Sequence, residues 1–278
     1  MNKPKKIHIG TFVVPLAGVA LYCCAQIAAT ALLSVIYPDN KADSLLSDRS
    51  GTFTVLTALF TFALIAIWFA AAGKQTRDLV RRQKPGAPEL LTVLPIGLGM
   101  LGLVNLFFIW IEWMVPRFSV IRDLYNQYKS NMDALTPAGG IETVLYIIGI
   151  SLLIPIAEEL IFRGIILGEF LRSMKPELAV ILSALIFACM HVEPLQVIYA
   201  FISGLILGFA YLYSNSIFIS IAIHAVFNIL GGALTMLVSA EEKWLNSLAY
   251  IEFASTFLLI ICILYLRASY VKRKVEAG

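Results

Sequence analysis

Charge is what this sequence has least of. Only 14% of its 278 residues are Asp, Glu, Lys or Arg, where soluble domains carry about 25%. With 59% hydrophobic residues, that shortage excludes a water-soluble globular protein and points to an integral membrane protein. Cysteine is scarce as well. Cys23, Cys24, Cys189 and Cys262 all fall in apolar stretches. They read as reduced core fillers, which excludes a disulfide framework or a cysteine-ligated zinc site. No internal repeat is evident, so an inverted-repeat transporter has no direct support. The net charge is only +3, and the basic residues lie between apolar runs, which excludes nucleic acid as a partner.

What the chain does have is apolar sequence in helix-length runs. A spanning helix takes about 20 apolar residues, and eight stretches are candidates: 11–37, 52–72, 90–114, 143–171, 177–192, 195–213, 216–238 and 249–270. The expected fold is therefore an all-α polytopic membrane protein with about eight transmembrane helices. It divides into N-terminal helices with an interfacial segment (1–140), a core (141–238), and a final helix with a basic tail (239–278), all within one membrane domain. An Ala29-Thr30-Ala31 triplet resembles a signal cleavage site, but the apolar run continues through Ile36, which favours an uncleaved first helix. Residues 115–142, with Arg122, Tyr125, Tyr128 and Lys129 interleaved, predict an interfacial amphipathic helix ending near Pro137-Ala138-Gly139-Gly140. Gly164-x-x-x-Gly168, Gly204-x-x-x-Gly208 and the trio Gly97, Gly99 and Gly102 predict close helix packing.

With eight spans the basic clusters fall on one side: Lys3, Lys5 and Lys6; Lys74, Arg77, Arg81, Arg82 and Lys84; Arg172 and Lys175; Lys272, Arg273 and Lys274. Asp39, Asp43, Asp48, Glu142, Glu241 and Glu242 fall on the other. The positive-inside rule then makes both termini cytoplasmic.

Ionisable groups inside such spans cost about 2.5–3.5 kcal/mol each on insertion scales and mark functional sites by default. The run 143–171 carries Glu158, Glu159 and Arg163. Glu159 and Arg163 are at i,i+4 with the acid first, the favourable order for an ion pair. Glu158 is rotated away and must find a partner on another helix or stay protonated. His191 closes the fifth stretch just before Glu193-Pro194, and His224 and Asn228 share one face of the seventh. Taken singly, each group has a plain structural reading: an interhelical salt bridge, a capping histidine, polar glue between helices. Taken together, a carboxylate, two imidazoles and an amide supply a base, proton carriers and an oxyanion donor, as water attack on a peptide carbonyl requires.

The order Glu-Glu-x-x-x-Arg, Phe-x-x-x-His, His-x-x-x-Asn over residues 143–235 resembles the CPBP (Abi) intramembrane endopeptidases, which include the type II CAAX prenyl endopeptidases. The resemblance implies an intramembrane active-site cavity and a peptide or protein substrate in the bilayer. It implies that Glu158 activates water, with His191, His224 and Asn228 as the other catalytic residues and Glu159 and Arg163 as structural support. Residues 1–140 carry no matching motif. No cofactor is favoured. His-Glu-x-x-His is absent, yet Glu158, His191 and His224 could hold a zinc ion with an open position. The expected activity is hydrolysis in or near the cytoplasmic half of a plasma membrane, with a bacterial source favoured. A zinc-dependent peptidase, a non-catalytic immunity or scaffold protein, and a proton-coupled transporter are the alternatives.

Overall fold

The computed structural model describes residues 7–38, 42–72, 76–137, 139–234 and 242–276. Of the residues named above, Lys3, Lys5, Lys6, Asp39, Lys74, Ala138 and Glu241 lie outside these, as does the end of the 216–238 stretch. The described chain runs α1 (Gly10–Ile36), α2 (Ala42–Asp48), α3 (Ser50–Ala71), α4 (Ala87–Leu90), α5 (Val93–Met114), α6 (Ser119–Leu135), α7 (Gly140–Ser173), α8 (Pro176–Cys189), α9 (Pro194–Ser214), α10 (Ile217–Leu234) and α11 (Glu242–Glu276). Among the described residues the only β-type pairing is an isolated bridge between Arg82 and Ser216.

Among the described residues, seven helical segments are long and apolar enough to cross a membrane: α1, α3, α4 with α5, α7, α9, α10 and the Ala249–Glu276 part of α11. The protein is a multi-pass membrane protein. The expected fifth span departs from the pattern. α8 has 14 residues and rises about 21 Å, short of a hydrocarbon core of about 30 Å. It stops where Val192 takes a left-handed backbone (φ 62°), a strained state for a β-branched residue. Pro194 then opens α9, a first-turn position that needs no N–H. The amphipathic helix expected within 115–142 is α6, which buries no residue. Gly139 and Gly140, both at positive φ, make the turn into α7.

Without a hydrophobic drive between helices in lipid, close packing rests on small residues. Gly204 and Gly208 of α9 lie against Ala184 and Val180 of α8. Gly97 of α5 meets Val226 of α10, while Gly99 and Gly102 meet α11 at Ser255, Leu259 and Thr256. Gly164 and Gly168 differ from expectation: their partners are Val80 and Leu79, from the loop before α4 rather than from a helix. The cysteines are free, but Cys24 and Cys189 are exposed. They are not core fillers; they sit on outward faces of apolar helices.

α7 is not uniformly α-helical. Gly149–Leu153 and Leu160–Leu167 are π-helical, flanking the α-turn Ile154–Glu159 that carries the glutamate pair. Such wide turns in otherwise α-helical segments occur often at functional sites.

Candidate active site

The Glu159–Arg163 pair forms as its spacing predicts, at 2.8 Å, with both residues essentially fully buried. A buried ion pair is tolerable only when its remaining valences are met, and here they are. Arg163 donates a second hydrogen bond to the Gly204 carbonyl at 3.2 Å and lies over the Phe187 ring at 4.4 Å. Glu159 also accepts from His224 Nδ1 at 2.9 Å and from the Ser220 hydroxyl. Glu159 thus joins α7 to α10, and both of its carboxylate oxygens are engaged.

Glu158 points elsewhere. Its Oε1 accepts a hydrogen bond from the Tyr22 hydroxyl of α1 at 2.8 Å, and its Oε2 lies 3.8 Å from His224 Nε2. The partner that the sequence demanded of another helix is therefore found on two. His224, fixed through Nδ1 by Glu159, turns Nε2 toward Glu158. Because a carboxylate only accepts, Nδ1 of His224 is the donor. His191 is oriented in the same way: its Nδ1 bonds the Phe187 carbonyl at 3.0 Å, again the donor, which leaves Nε2 free of that bond. Phe187 makes edge contacts with both imidazoles, at 4.8 and 6.0 Å between ring centroids.

Asn228 shows how local structure sets the site. In the first wide turn the Ile154 N–H reaches back five residues to the Gly149 carbonyl. The next carbonyl, that of Ile150, would await an N–H from residue 155, which is Pro155 and has none. Asn228 of α10 supplies the missing donor, its side-chain amide bonding the Ile150 carbonyl at 2.8 Å. An amide carries two N–H bonds, so one remains.

Glu158, His191, His224 and Asn228 all line one cavity of about 270 Å³, with Gln196 and Tyr199. A second cavity of about 400 Å³ shares His191 and Gln196 and lies among α2, α6 and the His191–Pro194 turn. No cluster of three His, Cys, Asp or Glu side chains placed to hold a metal exists among the described residues. Glu158 and His224 nonetheless face one another.

The family model for type II CAAX prenyl endopeptidase Rce1-like proteins matches residues 140–230. That stretch of the chain is similar to the Rce1-like family. No curated protein and no solved structure matches it. The Rce1-like match spans α7 to α9 and most of α10 and, with the apolar helices, supports a membrane peptidase. Tyr22 lies outside it. Sequence reasoning missed this residue, whose only signal was a phenol in the middle of an apolar helix. Ser220 and the ring of Phe187 were missed too, the first as a small polar residue common in membrane helices, the second because it served only to mark a spacing.

Proposed function

We propose that the protein is an intramembrane endopeptidase in which Glu158 is the general base. The supporting observation is the asymmetry of that carboxylate. One oxygen is held by Tyr22 and the other stands 3.8 Å from His224 Nε2, beside a cavity large enough for water and a peptide bond. Glu158, assisted by His191, takes a proton from water as the water oxygen adds to the scissile carbonyl. The spare Asn228 N–H donates to the oxyanion, joined by His224 Nε2 when that imidazole carries a proton on both nitrogens. Glu158 then returns the proton to the departing amine, leaving a carboxylic acid and an amine. The protein resides in a bacterial plasma membrane with both termini cytoplasmic. The test is proteomic: new N-termini in membrane and secreted fractions are compared between cells with the wild-type protein and cells with Glu158→Gln. Equal sets in the two would reject the reading.

Tyr22→Phe removes one hydrogen bond to a charged group, worth roughly 1.5–3 kcal/mol. A fall in kcat of about tenfold or more is expected, with KM little changed, because each 1.36 kcal/mol is tenfold in rate. Steady-state kinetics on a product-verified substrate peptide measure it. A rise in KM alone would place Tyr22 in binding instead.

The reading uses a carboxylate-activated water without an obligatory metal. Purified active enzyme is therefore expected to hold far less than one zinc per chain, and to keep its activity when zinc is stripped. Near-stoichiometric zinc that tracks activity through His191→Ala and His224→Ala would replace this mechanism with a metal-bound water.

A further inference from the structure

The two ends of the helix bundle are built differently. At one end the loop before α4 is pressed into the bundle. Leu79 and Val80 are 4% and 6% exposed and lie against Gly168 and Gly164. The Arg81 N–H bonds the Tyr211 hydroxyl at 2.9 Å, the Ile217 N–H bonds the Arg81 carbonyl at 2.9 Å, and Arg82 bridges Ser216. Arg273 of α11 is clamped to Glu89 beside them. Glu159, Arg163 and Ser220, beneath this plug, are buried to 1% or less.

At the other end the structure is hollow. The cavity of about 400 Å³ reaches His191 and Gln196, which also line the catalytic cavity. Gln127, Asn131 and Glu193 supply polar groups to its wall. Glu193 Oε1 accepts from the Asn131 amide at 2.7 Å, while Oε2 is buried with no hydrogen-bond partner among the described residues. A peptide N–H satisfies an acceptor of that kind, and leaving it unmet costs about 1–3 kcal/mol.

Charge says which end is which. The plugged end carries Arg77, Arg81, Arg82, Lys84, Arg172, Lys175, Lys272, Arg273 and Lys274 against Asp78, Glu89, Glu169 and Glu177. The hollow end mixes Arg49, Arg117, Arg122 and Lys129 with Asp48, Asp123, Asp133 and Glu142. The positive-inside bias assigns the plugged end to the cytoplasm.

We infer that the catalytic cavity is reached from the extracytoplasmic face, between α2, α6 and the His191–Pro194 turn, by a polypeptide segment exposed on that face. This places the opening on the side opposite to the cytoplasmic half expected from sequence. The inference rests on the peptidase reading only in naming the arriving segment a substrate.

The test is sided chemical labelling of the full chain in intact cells and in inside-out vesicles, with a membrane-impermeant maleimide. Cys23, Cys24, Cys189 and Cys262 are first replaced by Ala, and Gln127→Cys, His191→Cys and Gln83→Cys are then made singly. Gln127→Cys and His191→Cys are expected to react in intact cells, and Gln83→Cys only in inside-out vesicles. Reaction of Gln127→Cys only in inside-out vesicles overturns the sidedness. Reaction of His191→Cys only from the Gln83 side, or from neither side, overturns the route even if the orientation is right. Labelling reads no catalysis, so its failure leaves the peptidase reading standing. Unchanged N-termini in Glu158→Gln cells would reject that reading and leave the labelling result in place.

Discussion

Glu158→Gln is expected to give a folded, membrane-inserted protein whose cleavage rate falls by about 10²–10⁴-fold, the range that general base catalysis supplies. The amide keeps the shape of the side chain and can still accept from Tyr22, so the thermal stability should change little. The same substitution at the next position should behave in the opposite way. Glu159 has Arg163 and His224 on one oxygen and Ser220 on the other, so Glu159→Gln loosens the joint between α7 and α10 and lowers the melting temperature. Cleavage in detergent, measured alongside thermal unfolding, separates the two. If Glu159→Gln alone stopped cleavage in a stable protein, the roles of the pair would be exchanged.

Arg163→Ala is expected to be the most destabilising single change in the site. It leaves the Glu159 carboxylate buried without its cation, a loss of about 3–5 kcal/mol where one partner of a buried pair is removed. It also withdraws the donor from the Gly204 carbonyl and the guanidinium from the face of Phe187. Thermal melting in detergent should show a large drop. A double variant, Arg163→Ala with Glu159→Gln, should recover part of it, because the uncompensated charge is then gone. A melting temperature within error of wild type for the single variant would mean that the pair contributes nothing to stability.

Much of the architecture was legible because bilayer thickness enforces a length rule that composition reports directly. The runs that became α1, α3, α5, α7, α9 and α10 could be marked on that rule, and α6 stood out by its interleaved Tyr, Arg and Lys. The i,i+4 spacing gave the Glu159–Arg163 pair because one helix contains both residues. What escaped depends on contacts between distant segments. Tyr22 and Glu158 are 136 residues apart, and no periodicity links a phenol on the first helix to a carboxylate on α7. α8 looked like a span because Phe187 to Val192 is largely apolar; its end is set by the backbone of Val192. Gly164 and Gly168 carried a helix-packing pattern, but a loop fills their groove, since a small-residue stripe specifies a close approach and not the approaching element. The Ile150 carbonyl was invisible as well, because its vacancy arises only once the helix has widened ahead of Pro155.

That widening makes chain length itself a determinant of chemistry. A π-turn holds one residue more than the helix needs, in effect an insertion absorbed without displacing the rest of the helix. Deleting one residue of Gly149–Leu153 and restoring a regular helix would therefore leave Glu158 facing Tyr22 and Arg163 in its seat under Gly204. Deleting a residue between that wide turn and Glu158, where the helix is already regular, would instead turn the remainder of α7 by about 100°. Two chains with every catalytic side chain in common could thus differ wholly in competence through where a single deletion falls upstream of the base.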